Sequence, residues 1–291
     1  MKKNILFAII AFAIISCTNS VQLNQLYEES SIESWIILNY IKYDKKQTFD
    51  DLLIEKVYPA IFSYVDSDEA VNNANKEGQK YGRLLRPIKM NDDSSWTFIF
   101  IADPFIKNQT TIIRKPLIQK YGEDESKKIL DIWFSCFAKK GQESFYGEDI
   151  KFSGFKNNAI SKPGNNVMVG MNYIKSKKNQ QFENVTINEI LPVVIEYRDP
   201  KDELHNINQK AIEEMRFLRP KRQNNDKSWS YVFMADPYFA EANYFISKPF
   251  SQKYGKDNVA QILKDIGWND SFDDQGQILY YLEEVDLSIF K

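Results

Sequence analysis

The feature that most constrains this chain is an internal repeat. Shifting the 291-residue sequence by 133 positions aligns residues 39–130 with residues 172–263 without a gap, and 35 of the 92 positions are identical. After a further shift of two, GQESFYGEDIKF at 141–152 meets GQILYYLEEVDL at 276–287. A repeat of this length predicts that one structural unit occurs twice, and it takes precedence over other features of the sequence.

We therefore predict an α+β protein, a tandem duplication of one mostly antiparallel α+β domain of about 120 residues, which is a common domain size. The predicted boundaries are 32–152 for repeat domain 1, 153–166 for a linker rich in Gly, Asn and Pro, and 167–291 for repeat domain 2. The period is too long for a solenoid, and two copies do not make an array.

Each half shows the same predicted order of elements. The predicted segments are first strands at 35–42 and 167–175, strands at PAIFSYV and PVVIEYR, and helices at 66–82 and 199–215. Apolar runs around an Asn/Asp/Ser cluster then predict a β-hairpin in each half. Its second strand, SWTFIFIADP or SWSYVFMADP, is apolar on both faces and should be covered on both sides. Pro87 and Pro220 predict that the first hairpin strand is an edge strand or ends at the proline.

The N-terminus has the pattern of a secretory signal peptide. Two lysines precede an apolar run from Ile5 to Ile15, which is shorter than the roughly 20 residues of a membrane-spanning helix. The run ends in IISC, which resembles the bacterial lipobox although Ile and Ser replace its usual Leu and Ala or Gly. We predict a lipoprotein signal peptide at 1–16, lipid attachment at Cys17 and a tether at 17–31. The alternative is a plain signal peptide in which Cys17 is incidental.

The repeated motif carries the charged candidates for a site. Its members are Arg86, Asp93, Trp96, Asp103 and Pro104, repeated as Arg219, Asp226, Trp229, Asp236 and Pro237. We predict structural roles for them: turn capping by the first Asp, core packing by Trp, and pairing of the second Asp with an Arg across its own hairpin. The alternative is a hydrolase that uses Asp103 and Asp236, which requires both carboxylates to line an accessible cleft.

The sequence argues against several kinds of chemistry. His205 is the only histidine, and Asn72 occupies the matching position of the first half, which excludes a histidine metal cluster and a histidine-dependent triad. No glycine-rich nucleotide motif is present, so we predict no cofactor and no metal. The net charge of −2 offers no basic field for nucleic acid. Cys136 has no partner for a disulfide if Cys17 is lipidated, so the core must stabilise the fold.

The segments after the two Asp-Pro pairs differ in composition. FIKNQTTIIR follows in the first half, and YFAEANYFIS follows in the second. The candidate partner-binding residues are Tyr238, Phe239, Tyr244 and Phe245. Exposed aromatic side chains would form a hot spot for a protein partner. The alternative is that they pack onto the sheet or between the domains.

Two long strings carry a resemblance to a known family. RPIKMNDDSSWTFIFIADPF and RPKRQNNDKSWSYVFMADPYF, with the lax lipobox and the Lys/Asn/Ile-rich composition, resemble outer-surface lipoproteins of the spirochaete Borrelia, of the family once called S-two antigens. The resemblance implies a non-enzymatic antigen, anchored by lipid in the outer membrane at the cell surface, that binds a host component. A periplasm-facing scaffold for an envelope protein is the alternative, followed by the hydrolase.

Overall fold

The computed structural model describes residues 27–156 and 160–290. The predicted signal peptide, Cys17 and most of the predicted tether lie outside the described residues. Within the described part of the chain, no helix is long and apolar enough to cross a membrane.

Eight strands of the described chain form one closed antiparallel barrel. They are β1 (Tyr27–Ile41), β2 (Gly82–Pro87), β3 (Trp96–Ala102), β4 (Phe137–Phe152), β5 (Asn166–Ile174), β6 (Met215–Pro220), β7 (Trp229–Ala235) and β8 (Phe272–Glu284). Their order around the barrel is β1-β3-β2-β8-β5-β7-β6-β4. Because every strand pairs on both sides, the barrel has no edge, so the Pro87 and Pro220 strands are not edge strands. The alternative prediction, that each strand ends at its proline, is confirmed.

Helices pack outside the barrel in both halves. They are α1 (Lys46–Leu52), α2 (Tyr58–Ser63), α3 (Glu69–Tyr81), α4 (Arg114–Tyr121), α5 (Glu123–Cys136), α6 (Asn179–Val185), α7 (Leu191–Glu196), α8 (Asp202–Glu213), α9 (Ser247–Tyr254), α10 (Val259–Asp265) and α11 (Trp268–Ser271). A π-helical turn, Leu53–Val57, joins α1 to α2, and Thr186–Ile190 does the same between α6 and α7.

The prediction of two tandem α+β domains is wrong. The strands of the first half pair in the order β4-β1-β3-β2, and those of the second half pair as β8-β5-β7-β6. Two seams, β2 with β8 and β4 with β6, close the halves into one barrel. Each half alone would expose two edges of unpaired backbone N–H and C=O groups, and the seams satisfy them. The repeated sequences therefore form two halves of one barrel.

The strands predicted at PAIFSYV and PVVIEYR are also wrong, since these segments are helical. Pro59 lies at the start of α2, and Pro192 lies at the start of α7. In the first turn of a helix the missing N–H of proline costs no hydrogen bond, so the proline that suggested a strand begins a helix instead.

The barrel wall separates an inner core from two outer cores. On β3, Ile99 and Ile101 face the inner core, whereas Phe98 and Phe100 pack against the helices of the first half. This alternation explains why the strand is apolar on both faces. The helices of the second half cover the opposite wall in the same way around Phe217.

Candidate functional site

A buried ionic cluster joins β2 to the second half. The guanidinium of Arg83 donates from Nη1 to Asp236 Oδ2 at 2.8 Å and from Nη2 to Glu284 Oε2 at 2.5 Å. Ser161, which lies in the predicted linker 153–166, donates its backbone N–H to Asp236 Oδ1 at 2.7 Å. Every member of this cluster is buried.

The matching cluster joins β6 to the first half. Arg216 donates from Nη1 to Asp103 Oδ2 at 2.5 Å and from Nη2 to Asp149 Oδ2 at 2.5 Å. Ser34 donates its hydroxyl to Asp103 Oδ1 at 2.8 Å. The prediction that each Asp pairs within its own hairpin is corrected, because Arg83 and Arg216 each hydrogen-bond to the Asp of the other half. Arg216 also approaches Asp236 of its own hairpin, at 3.9 Å.

These contacts exclude the hydrolase hypothesis. Asp103 is 8% exposed and Asp236 is 0% exposed, so neither carboxylate lines an accessible cleft. Burial opposes ionisation of Asp103, but the charge and hydrogen bonds of Arg216 outweigh it and lower the pKa of this carboxyl below its ordinary value. A carboxylate that is ionised at neutral pH and paired with a buried arginine serves the fold rather than proton transfer.

The remaining motif residues hold the hairpin and the adjoining helices. Asp93 Oδ1 accepts from the backbone N–H of Ser95 at 3.0 Å and from its hydroxyl at 2.6 Å. Trp96 is half-buried and donates its indole N–H to the carbonyl of Tyr43 at 3.2 Å. The second half repeats these contacts with Asp226, Ser228, Trp229 and Ser176.

Two further arginines, Arg86 and Arg219, bind helices of their own half. Arg86 pairs with Asp50 on α1 at 2.8 Å, and Arg219 pairs with Glu183 on α6 at 2.8 Å. The peptide bonds that precede Pro104 and Pro237 are both cis.

The aromatic segment of the second half is divided between interior and surface. Tyr238 lies against Tyr244, with 5.1 Å between ring centroids, and the Tyr244 hydroxyl accepts the backbone N–H of Phe239 at 2.9 Å. Phe245 is 59% exposed. The four candidates therefore do not form one continuous exposed surface, and partner binding at this segment stays a prediction.

A cavity of about 180 Å³ lies in the first half, between the outer face of the barrel and the helices. Its aromatic walls are Trp35, Tyr58, Phe62, Phe100 and Trp133. Helix α3 and the loop before α4 close one side of it, and Leu287 of the C-terminal segment closes another. The cavity is therefore built from residues that are far apart in sequence.

Apolar side chains make up most of the lining, and its polar side chains lie mainly on α3 and in the loop before α4. Arg83 is the one charged residue among the described lining residues, and its guanidinium is already paired with Asp236 and Glu284. The indole N–H of Trp35 is buried and has no acceptor in the described part of the chain. Burial also raises the pKa of Tyr58 well above its ordinary value, so its hydroxyl keeps its proton at neutral pH.

The two halves differ at several positions that line this cavity. At an offset of 133, the positions of Gly78, Gln79, Gly82 and Thr111 are held by the larger residues Ala211, Ile212, Met215 and Tyr244, whereas Tyr58, Phe62 and Gln109 are matched by the smaller Leu191, Ile195 and Ala242. Ile212 belongs to the outer core of the second half, and Met215 packs against it. The second half therefore places apolar core side chains where the first half has Gln79 and Gly82.

A further cluster of polar side chains lies inside the barrel. Tyr40 donates its hydroxyl to Glu143 at 2.8 Å, and Tyr173 donates to the same carboxylate at 3.2 Å. The ammonium of Lys140 lies 3.4 Å from Glu143 and 4.4 Å from the centre of the Tyr40 ring. These groups satisfy one another. Across the described residues, no group of three or more His, Cys, Asp or Glu side chains is placed to hold a metal ion.

Sequence reasoning missed the cavity because it compared the halves for shared residues. The signal lay in the positions at which the two halves carry different residues. Met215 corresponds to Gly82, and Ala211 corresponds to Gly78. The sequence also predicts a strand where the structure has helix α2, which contributes Tyr58.

Comparisons with known proteins find a similar arrangement only among solved structures. No family model matches, and no curated protein matches. A protein described as a monooxygenase from Fusobacterium nucleatum is 13% identical, with 88% of this chain and 93% of that chain covered and a TM-score of 0.39. An anthrone oxidase-like protein is 9% identical, with 88% and 92% covered and a TM-score of 0.39. A chlorite dismutase variant from Candidatus Nitrospira defluvii is 6% identical, with 87% and 92% covered and a TM-score of 0.37.

These findings overturn the expected function. The solved structures that cover most of this chain carry the names of enzymes rather than of surface antigens or envelope scaffolds. The expectation that the chain is not an enzyme is corrected with it. At these low identities and TM-scores, no activity is carried from the named proteins to this chain.

Proposed function

We propose that this protein binds a small, neutral, largely apolar molecule in the cavity of its first half. The observation that carries the proposal is the cavity itself, which has about 180 Å³ behind aromatic walls. A dry cavity of about 150 Å³ lined by apolar side chains is known to take up benzene. A ligand of one ring with a small substituent fits the volume.

The charge of the ligand follows from the lining. The guanidinium of Arg83 cannot bind a carboxylate of the ligand, because its N–H groups already donate to Asp236 and Glu284. A charged ligand would lose its hydration without gaining a partner, which is strongly unfavourable. The site therefore favours neutral molecules.

The orientation of the ligand follows from the unpaired donors. The buried indole N–H of Trp35 lacks an acceptor, and unsatisfied buried donors are rare in native proteins. The protonated hydroxyl of Tyr58 is a second donor in the lining. A ligand with one acceptor oxygen or nitrogen would satisfy such a group and would bind more tightly than its hydrocarbon counterpart.

The experiment uses the two tryptophans that line the cavity as reporters. We expect small aromatic compounds such as phenol and toluene to change the tryptophan fluorescence of the full chain and to raise its melting temperature, because a ligand bound to the folded state stabilises it. Gly82→Met places the residue of the second half into the cavity. Gly82 has φ −71° and ψ 132°, which any residue adopts, so the substitution should fill the cavity without backbone strain.

The matched control is Val65→Met, because Val65 is 57% exposed and does not line the cavity. Gly82→Met should abolish the ligand-induced changes, whereas Val65→Met should retain them. Equal ligand responses in wild type and Gly82→Met, or none in the wild type, would overturn the proposal.

A further inference from the structure

Two tyrosine rings and a carboxylate surround the ammonium of Lys140 inside the barrel. The ammonium lies 4.4 Å from the centre of the Tyr40 ring and 5.3 Å from the centre of the Tyr173 ring. Oε2 of Glu143 lies 3.4 Å from it. A cation over an aromatic face is attracted by the quadrupole of the ring, and the attraction grows where water is excluded. Tyr40, Tyr173 and Glu143, which we call the tyrosine cage, therefore have the arrangement of a cation site that holds the chain's own lysine.

The cage is held together without the lysine. Tyr40 and Tyr173 belong to the inner core, and both of their hydroxyls donate to the carboxylate of Glu143. Burial is the main cause that raises the pKa of each tyrosine well above its ordinary value, so both hydroxyls keep their protons at neutral pH. The rings and the carboxylate therefore stay in place when the ammonium is withdrawn.

The repeat shows that the barrel does not require this ionic pair. The register of β1 with β4 and that of β5 with β8 make Ile278 the counterpart of Glu143. Gln275 is the counterpart of Lys140 in the same alignment. Ile278 packs against the inner core. The same strand pairing is thus built once with an apolar residue and an amide, and once with a carboxylate and an ammonium.

The ammonium of Lys140 is held loosely. It lies 3.4 Å from Glu143 and 3.5 Å from the amide oxygen of Gln275. Tight charge-assisted hydrogen bonds of this kind measure about 2.7–2.9 Å. The lysine side chain is 29% exposed and lines a depression of about 520 Å³, which Tyr40 also lines. The ammonium can therefore move out into water, where a lysine charge is strongly hydrated, and the cage then adjoins the depression.

We propose that the tyrosine cage binds a methylated ammonium ion, and that the ammonium of Lys140 holds the site when no ligand is bound. Aromatic faces are the usual means by which proteins recognise quaternary ammonium groups. Such a group loses less hydration than the compact ammonium of a lysine, and it brings no N–H donors that need acceptors. Asn91, Gln277 and Tyr280 line the adjoining depression and suit a polar tail on the ligand. The proposal is independent of the cavity for neutral ligands, which lies outside the barrel wall.

The test is calorimetric titration of the full chain with choline and with its uncharged analogue, in which a tert-butyl group replaces the trimethylammonium group. We expect choline to bind and the analogue not to bind, because the cage selects for positive charge. Lys140→Gln introduces the residue of the second half and should tighten choline binding by about tenfold, since the competing ammonium is absent. Adding Glu143→Gln to that variant should weaken choline binding by about tenfold or more, because the carboxylate supplies the opposite charge.

The controls are matched substitutions outside the cage. Lys139→Gln removes the neighbouring, exposed lysine, and Gly82→Met alters the cavity for neutral ligands. Both variants should bind choline like the wild type. Equal binding of choline and its uncharged analogue overturns the proposal, and so does the absence of choline binding in both the wild type and Lys140→Gln. An unchanged choline affinity in Lys140→Gln overturns it as well, because the lysine would then not compete for the cage.

Discussion

The guanidinium of Arg83 lies 2.8 Å from the carboxylate of Asp236, 153 residues away in the chain. Arg216 and Asp103 form the reciprocal pair at 2.5 Å. Each half thus supplies the arginine for a carboxylate of the other half, at the place where the strands of the two halves meet. This exchange fixes which strands form the seams, and it leads directly to the first two predictions.

Arg83→Met should lower the free energy of unfolding by about 3–5 kcal/mol, because it leaves Asp236 and Glu284 buried without a counter-charge. Urea denaturation measures the change. Lys80→Met is the control, since the Lys80–Glu77 pair is exposed to solvent and should contribute little to stability. Similar losses in both variants would show that burial of the cluster is not what matters.

Acid should destabilise the protein through Asp103. Burial opposes ionisation, but Arg216 lowers the pKa of Asp103 below its ordinary 3.8 in the folded state. A depressed folded pKa contributes stability that is present above pH 3.8 and is lost as the pH falls through the lower, folded value. Asp103→Asn should therefore lose stability at neutral pH and show a flatter decline in the acid range. Asp51→Asn, on the surface of α1, should keep the wild-type profile in pH-dependent denaturation.

Gly78 and Gln109 should be energetically coupled. A Cβ at Gly78 would overlap the side-chain amide of Gln109, and the second half holds Ala211 and Ala242 at these two positions. In the Gln109→Ala background, Gly78→Ala should stabilise the protein by about 1 kcal/mol, because alanine is the better helix former. In the wild type the displaced amide should offset most of this gain. Thermal denaturation of the four proteins gives the coupling, and strict additivity would contradict it.

Leu287 should be a determinant of both stability and cavity size. It is 5% exposed in the outer core of the first half and lines the cavity. Leu287→Ala should cost about 2–5 kcal/mol and admit larger ligands. Ile289 lies in the short 3-10 turn Ser288–Phe290 that directly follows Leu287 but is 71% exposed, so Ile289→Ala should change stability by no more than about 0.5 kcal/mol. Calorimetry of both variants, with and without ligand, tests the difference.

Much of the local structure is predictable from the sequence. The helix predicted at 199–215 is observed as α8 (Asp202–Glu213), and the hairpin strand at SWTFIFIADP is observed as β3. These signals are local, since apolar periodicity and turn residues act within a few positions. The segment around Pro59 failed because proline disfavours a helix interior but favours a helix start, and composition does not distinguish the two.

The candidate site was less predictable than the fold. The sequence marked Asp103 and Asp236 as unusual, but their partners could not be assigned while the halves were taken as separate domains. The cavity was missed for a related reason. Trp35, Phe100 and Leu287 meet only when a strand, its neighbour and the C-terminal segment pack around the same helices.

The sequence by itself determined that one pattern of strands, helices and Asp-Pro turns occurs twice, because such a repeat is read directly from residue identities. The predicted signal peptide, its lipid attachment at Cys17 and the outer-membrane location remain predictions from the sequence. Only the tertiary structure decided that the two patterns close one barrel. Strand pairing across the seams satisfies four half-barrel edges at once, and this depends on contacts between residues 69 to 199 positions apart. The two similar halves nevertheless provide different environments, since the described cavity lies in the first half.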